Sequence, residues 1–481
     1  MAALDVAIIL GFIVACTAIG VRASRRGEKS GLSDYFLGER NLPAWAVTLS
    51  IVATETSAVT FLSVPGISYR GNLTFLQLAF GYILARVVIA LVLMPLFFRG
   101  RIDTAYEVLE NRFGGATRGA AAVLFLAART VASSLRLFLA ATVLETITGL
   151  ALPVSIGVIG VSTILYTYVG GLRGVVWADV LQFFVYIAGG IAAVFVIGQL
   201  LPGGWHEVFT IARAEDKLRV FDFSPVLNRP YTFWAGVIGA MVLDMGTHGA
   251  DLMMVQRYLS ARSQREASGA LVSSGCVILV QFALFLAIGL GVYALDQTTQ
   301  SPERLPPAKD AEFATFIVER LPVGLKGLVI AAVFSVTMST VSGALSSSAS
   351  STMNDLVKPW FPHASEARLV RSSRFVTAGW GLAQMAGALG AAGMNQAVID
   401  AALAVAGFVS GILLGVFLLG IFDPRANQRG AFAGMVAGIL AVSVAAFGTR
   451  LAYPWYALVG ATTVLLVGMC GSRLITKREG A

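Results

Sequence analysis

Charge is what this 481-residue chain has least of. Asp, Glu, Lys and Arg together make only 13% of it, against about a quarter in soluble domains. No long polar tract leaves room for a separate soluble domain. Histidine and cysteine are almost missing, with three of each. No HExxH pair, nucleophile elbow or His/Cys cluster with metal-ligand spacing is present, so enzyme chemistry is not expected. Cys16, Cys276 and Cys470 each lie in an apolar run without paired spacing and read as small core residues. Proline is sparse too, at 15 residues, so long helices are seldom interrupted.

Apolar residues are abundant, at 57%. A helix needs about 20 mostly apolar residues to cross a bilayer. Thirteen runs meet that need, near 4–21, 42–69, 73–98, 119–147, 152–171, 174–200, 231–256, 268–295, 325–352, 375–393, 398–421, 431–449 and 454–472. The expected fold class is an all-α integral membrane protein. Charge tests the count separately. With the N-terminus outside, nearly two thirds of the 35 Lys and Arg residues fall in inner loops, among them Arg22, Arg99, Arg118, Arg257 and Arg371. Fewer than a third fall outside, and Arg86, Arg129 and Arg136 fall within spans. This is the positive-inside pattern. It predicts a multi-pass protein of the plasma (inner) membrane with the C-terminus cytoplasmic. The formal charge of +8 is thus a topology signal. Spread over several loops, it offers no basic face for nucleic acid. The first run follows acidic Asp5 and precedes Arg22, Arg25 and Arg26, so it reads as a retained helix and not a signal peptide.

Two runs are polar at mid-membrane. One holds Ser50-Ile51-Val52-Ala53-Thr54-Glu55-Thr56-Ser57, the other Leu243-Asp244-Met245-Gly246-Thr247-His248-Gly249-Ala250-Asp251. Polar groups in hydrocarbon are costly unless they line a protein-enclosed cavity. The two breaks are five spans apart. If each opens a five-helix unit, the units have opposite orientation, the inverted-repeat logic of many secondary transporters. The expected organisation is an extra N-terminal helix and loop over 1–41, a first repeat over 42–200, an outer loop over 201–230, a second repeat over 231–421, and two C-terminal helices with a short tail over 422–481. Two Gly-kinked helices in an ordinary bundle are the competing reading.

The ninth run carries Ser335, Thr337, Ser339, Thr340 and Ser342, followed by a serine cluster from Ser346 to Ser351. Hydroxyls beside carbonyls freed by a helix break suit a hard cation such as sodium. Back-bonded hydroxyls in a small-residue packing face are the alternative, favoured for Ser346–Ser351. The sixth run opens Tyr166-Thr167-Tyr168-Val169-Gly170-Gly171-Leu172-Arg173-Gly174-Val175-Val176-Trp177-Ala178-Asp179. Asp179 reads either as a cation way-station or as a helix N-terminal acid.

Several of these segments resemble one family. Tyr166 to Gln182 is similar to the signature of the sodium:solute symporters. Ser63-Val64-Pro65-Gly66, Val255-Gln256-Arg257, Thr337 to Leu356 and Phe408 to Gly420 match its other helices. The resemblance covers nearly the whole chain. It implies a LeuT-type core of five plus five inverted helices with discontinuous helices. It also implies a sodium ion held by the carbonyls of Ala53, Thr56 and Val336 and the hydroxyls of Ser339 and Thr340. A second sodium site in sialic-acid-type members would map to Asp179 and Ser342, but its further serine is Gly343 here.

The substrate positions depart from the sugar-transporting pattern: Glu55 stands for Asn, Asp244 and Thr247 for Asn and Tyr, and Asp400 near a Gln. Candidates for the solute site are Glu55, Ser57, Thr60, Gln77, Arg129, Arg136, Asp244, Thr247, His248 and Asp400. Glu55 and Asp244 are expected to line one cavity, their repulsion relieved by a cationic or polyhydroxyl solute or by Arg136 or His248; an anionic solute would need Arg129 or Arg136 turned inward. Arg86 reads as snorkelling from its span. Gly407, Gly411 and Gly415 read as a close-packing face. The expected function is sodium-coupled symport of a small polar organic solute by alternating access, the solute being a monocarboxylate, sugar or polyol, amino acid or vitamin. The partners are that solute and membrane lipid, and the ion is sodium. Proton coupling through Glu55, Asp244 or Asp179 is the alternative. A transporter-like sensor is less expected, since only eight residues follow Arg473.

Overall fold

The computed structural model describes residues 1–24, 31–100, 102–299, 312–394 and 396–479, and for residues 24, 299, 396–407 and 475–479 the backbone alone. Helix occupies every expected interval. The principal helices are α1 (Ala3–Ser24), α2 (Ala44–Glu55), α3 (Ala58–Arg70), α4 (Leu76–Val92), α5 (Gly115–Thr148) and α6 (Leu152–Leu200). They continue with α7 (Ala240–Gly249), α8 (Leu252–Leu259), α9 (Gln264–Thr299), α10 (Leu325–Ser351), α11 (Glu366–Ala391), α12 (Gln396–Phe422), α13 (Gln428–Gly448) and α14 (Tyr456–Glu479). Among the described residues, eight helices are long and apolar enough to cross a membrane, or nine when the bent pair α2 and α3 is one span.

The runs 152–171 and 174–200 form one helical stretch, folded at Gly171 (φ 54°, ψ −158°). That backbone is open only to glycine. A Cβ there would also lie 2.6 Å from the Tyr35 carbonyl oxygen. The first expected break is real: α2 and α3 meet at 69°. Thr56 is extended, and Ser57 caps α3 by accepting from the Thr60 amide at 3.2 Å. The second break falls later than its polar stretch suggests. Asp244 and His248 stay helical in α7, and the chain leaves the helix at Ala250 and Asp251. The cause is the Asp251 carboxylate, which caps α8 by accepting from the Met253 amide at 2.9 Å.

Helix pairing follows the pseudo-twofold of an inverted repeat. The first broken pair packs on α9, the second helix of the later unit, and α7 packs on α4, the second helix of the earlier unit. Likewise α5 packs on α12, while the second half of α6 packs on α10, Gly189 seating against Ala332. The backbones approach closely where α4 meets α7: a Cβ on Gly81 of α4 would lie 2.1 Å from the Gly236 carbonyl oxygen, in the π-helical turn Ala235–Gly239 before α7, and 3.0 Å from the Met241 nitrogen of α7. The two broken helices are tied at one end, where the Leu42 amide donates to the Ser260 carbonyl at 3.0 Å. α10 is buried almost throughout, wrapped by α6, α1, α5 and α11. Gly411 and Gly415 of α12 seat against Ala457 and Ala461 of α14, as the glycine spacing predicts. At one end of α10 Arg118 donates to Asp355 (2.8 Å), Glu110 (2.6 Å) and Glu107 (3.2 Å). Burial holds the Glu107 carboxyl above its ordinary pKa, against the pull of Arg118.

Candidate functional site

The break after α2 leaves backbone oxygens without helical partners. Thr340 Oγ1 on α10 lies 3.3 Å from the carbonyl oxygens of both Thr54 and Thr56, and 3.0 Å from that of Val336. One hydroxyl hydrogen serves one of three carbonyls, so the rest form an oxygen-rich niche of the kind sodium takes at unwound helices. Thr56 and Val336 are two of the three carbonyls expected here. The third beside Thr340 is Thr54, while its neighbour Ala53 is fully buried in the last turn of α2. Gln281 braces the break by donating to Thr56 Oγ1 at 2.8 Å, and is itself held by Tyr186 OH at 2.7 Å.

Ser339, one residue before Thr340, also reaches the end of α2, with its Oγ 3.4 Å from Thr54 Oγ1. Its Oγ donates to Asp179 Oδ1 at 2.7 Å, and Asp179 Oδ2 accepts from Ser50 Oγ at 2.5 Å and from Arg257 at 3.1 Å. Asp179 is fully buried, seven residues past Leu172, well beyond a helix N-terminus. Arg257, expected among the loop charges, is fully buried with it. Ser342, the expected partner of Asp179, instead donates to the Ser339 carbonyl at 3.0 Å. Gly343 lies beside this pair: a Cβ there would sit 2.9 Å from Arg257 Nη2 and 2.9 Å from Thr54 Cγ2. The guanidinium thus fills the ground that a serine at 343 would need.

Glu55 and Asp244 line one cavity of about 630 Å³ between the two broken helices, α5, α12 and the start of α14. Their counter-charge is Arg86. It is fully buried, midway along the span Leu73–Arg99, about 20 Å from either end, and so does not snorkel. Its Nη2 donates to Glu55 at 2.5 Å, its Nε to Asp244 at 3.3 Å and its Nη1 to Ser274 Oγ at 2.7 Å. His248 completes the cluster, with Nδ1 2.8 Å from Asp244 Oδ1 and Nε2 3.4 Å from Glu55 Oε2. His248 Nε2 also lies 3.3 Å from Arg86 Nη2, and Nδ1 3.1 Å from Thr247 Oγ1. A second cavity of about 250 Å³, lined by Thr60, Ser63 and Phe282, shares Glu55 and Tyr82 with the first.

Thr247, Arg129 and Arg136 also line the larger cavity. Arg129 is ion-paired to Asp251, the cap of α8. Thr60 lines the smaller cavity, and Ser57 serves as a helix cap. Gln77 stands apart from both: it is fully buried, donates to the Thr74 and Tyr231 carbonyls and accepts from the Asp222 amide. It fastens the 215–231 loop to α4. Ser224 bonds the Asp222 carboxylate in that loop and holds it below its ordinary pKa. The side chain of Asp400 lies outside the described residues. Sequence reasoning missed Arg86, Arg257, Ser50 and Tyr453 with Tyr456, the last two closing the cavity from beyond the ten-helix core. The depth of Arg86 in its span was the available signal for the first.

Comparison with known proteins agrees with this geometry. The model of the sodium:solute symporter family matches residues 35–438. The human sodium/iodide cotransporter is 33% identical over 452 residues, 92% of this chain and 69% of its own length. Human sodium-coupled monocarboxylate transporter 1 is 32% identical, over 90% of this chain and 72% of its own. The sialic acid symporter SiaT of Proteus mirabilis is 29% identical over 97% and 94%. A substrate-bound, outward-open sodium-coupled sialic acid symporter superposes with a TM-score of 0.88 at 28% identity, covering 98% of both chains. A nucleobase-cation-symport-1 family transporter shares the fold, with a TM-score of 0.61 at 14% identity.

Proposed function

The chain belongs to the sodium:solute symporter family, and from that membership we propose how it holds its ion and its solute. It is a sodium-coupled secondary transporter of a small solute with a LeuT-type fold, working by alternating access. Sodium binds where Thr340 and Ser339 meet the carbonyls of Thr56, Val336 and the residues Ala53–Thr54 that end α2. The observation that carries this is Thr340 Oγ1 among three carbonyl oxygens at the break. The polar organic solute occupies the cavity beside it, between Glu55 on one broken helix and Asp244 on the other. Binding sodium draws α2 and α10 together, which couples the ion to the wall of the solute cavity.

One sodium ion per cycle is our reading of the second candidate site. Arg257 already neutralises Asp179 and lies against Gly343, so a second cation there would face a guanidinium. The chain crosses the plasma (inner) membrane thirteen times, with the N-terminus outside and the repeats at 42–200 and 231–421; the charge bias of the loops and the matching breaks support this. Equilibrium binding of radioactive sodium to the purified protein tests the ion assignment. We expect saturation with a Hill coefficient near one, competition by unlabelled sodium and none by potassium or choline. Binding replaced by proton uptake, with no saturable sodium site, would favour proton coupling instead.

A further inference from the structure

Three guanidiniums stand at or just behind the wall of the solute cavity, and two of them are spoken for. Arg86 is held by Glu55 and Asp244. His248 lies between the same two carboxylates and within hydrogen-bond reach of both. Arg129 is matched by Asp251. Arg136, seven residues or about two turns further along α5, lines the cavity with no hydrogen bond or ion pair to any described residue. A guanidinium deep in a span is costly without a partner, and such residues mark substrate paths. Its planar fork of donors matches a carboxylate in two parallel hydrogen bonds.

The rest of the wall is largely apolar: Phe125, Leu243, Met254, Phe408 and Leu413 among others. A sugar or polyol asks for a hydrogen-bond partner at nearly every hydroxyl. Here the acids and the histidine already bond one another. An amino acid brings an ammonium group for which the cavity keeps no unmatched acid among its described residues. An anion with an apolar body fits both the spare cation and the walls.

We infer that the transported solute is an organic monocarboxylate with an apolar body, its carboxylate received by Arg136. This rests on the sodium-symport reading above and narrows its solute. The test is thermal unfolding of the detergent-solubilised protein with millimolar butyrate, benzoate or phenylacetate, each beside its amide, and with glucose and proline, in sodium and in choline. At least one carboxylate is expected to raise the unfolding temperature in sodium, while its amide does not. Arg136→Gln should weaken that carboxylate about tenfold or more, and Arg136→Lys should recover part of the loss. Sodium alone should stabilise both variants as it does the parent, which shows that they fold. Stabilisation by glucose or proline but by no carboxylate would overturn the inference, as would a carboxylate that stabilises Arg136→Gln fully or a panel in which no carboxylate acts. Each of those results, obtained with the sodium shift intact, leaves the sodium reading standing. Loss of the sodium shift in the parent protein would strike that reading instead.

Discussion

Arg86 holds two carboxylates and a serine hydroxyl from one buried position. Removing it leaves Glu55 and Asp244 close together without a guanidinium between them, His248 beside both. Breaking a buried pair in this way costs about 3–5 kcal/mol. Arg86→Gln is therefore expected to lower the unfolding temperature by several degrees or more. Arg86→Lys should recover little, because one ammonium cannot span both acids as the fork does. Equal unfolding temperatures for Arg86→Gln and the parent would refute the clasp. The residues of this cluster were unevenly legible. Glu55, Asp244 and His248 stood out because each interrupts an apolar run. Arg86 looked like an ordinary snorkelling arginine until its depth was set against the length of its helix. Arg257 was misread because it adjoins a charged loop in sequence, whereas the turn of α8 carries it inward to Asp179. Gln77 was misread in the opposite sense, since its polarity serves a loop and not a ligand.

At the scale of elements, apolar run length located every principal helix but not short ones such as Leu32–Leu37, Gly204–Ala214 and Glu312–Arg320, and polar residues inside the apolar runs located both breaks. What composition cannot register is where a break ends. The capping carboxylate of Asp251 moved the second break to the far edge of its polar stretch. Nor does composition distinguish two spans joined by a loop from two joined at one residue, as at Gly171. That joint makes a direct prediction. Gly171→Ala places a side chain in a glycine-only region of backbone space and against the Tyr35 carbonyl. The strain is worth about 1–3 kcal/mol, and a clear fall in unfolding temperature should follow. An unchanged unfolding temperature would mean that the joint tolerates another backbone path. The turn at Tyr453 and α14, outside the repeats, also closes the solute cavity. The repeat pattern offers no sign of that, since the contact depends on how the last helices fold back.

For the molecule as a whole, the pairing of α2 and α3 with α9 and of α7 with α4 gives each broken helix a partner from the other repeat. Glu55 from one break and Asp244 from the other then meet across a single cavity. The proposed sodium niche lies on the same α2 turn, at the carbonyls of Thr54 and Thr56. In the proposed arrangement ion and solute act on one segment of chain, which is how a gradient in one can be tied to movement of the other. A ligand stabilises the state it binds in proportion to the logarithm of its saturation, so the niche can be tested without knowing the solute. The decisive measurement is a sodium titration of the unfolding temperature in Ser339→Ala with Thr340→Ala, beside the parent protein. The account predicts that the variant unfolds near the parent's temperature in choline and has lost the sodium-induced rise, its midpoint shifted more than about tenfold, the loss of roughly 1.4 kcal/mol or more. An unchanged sodium titration in that variant would place the ion elsewhere and contradict the central claim.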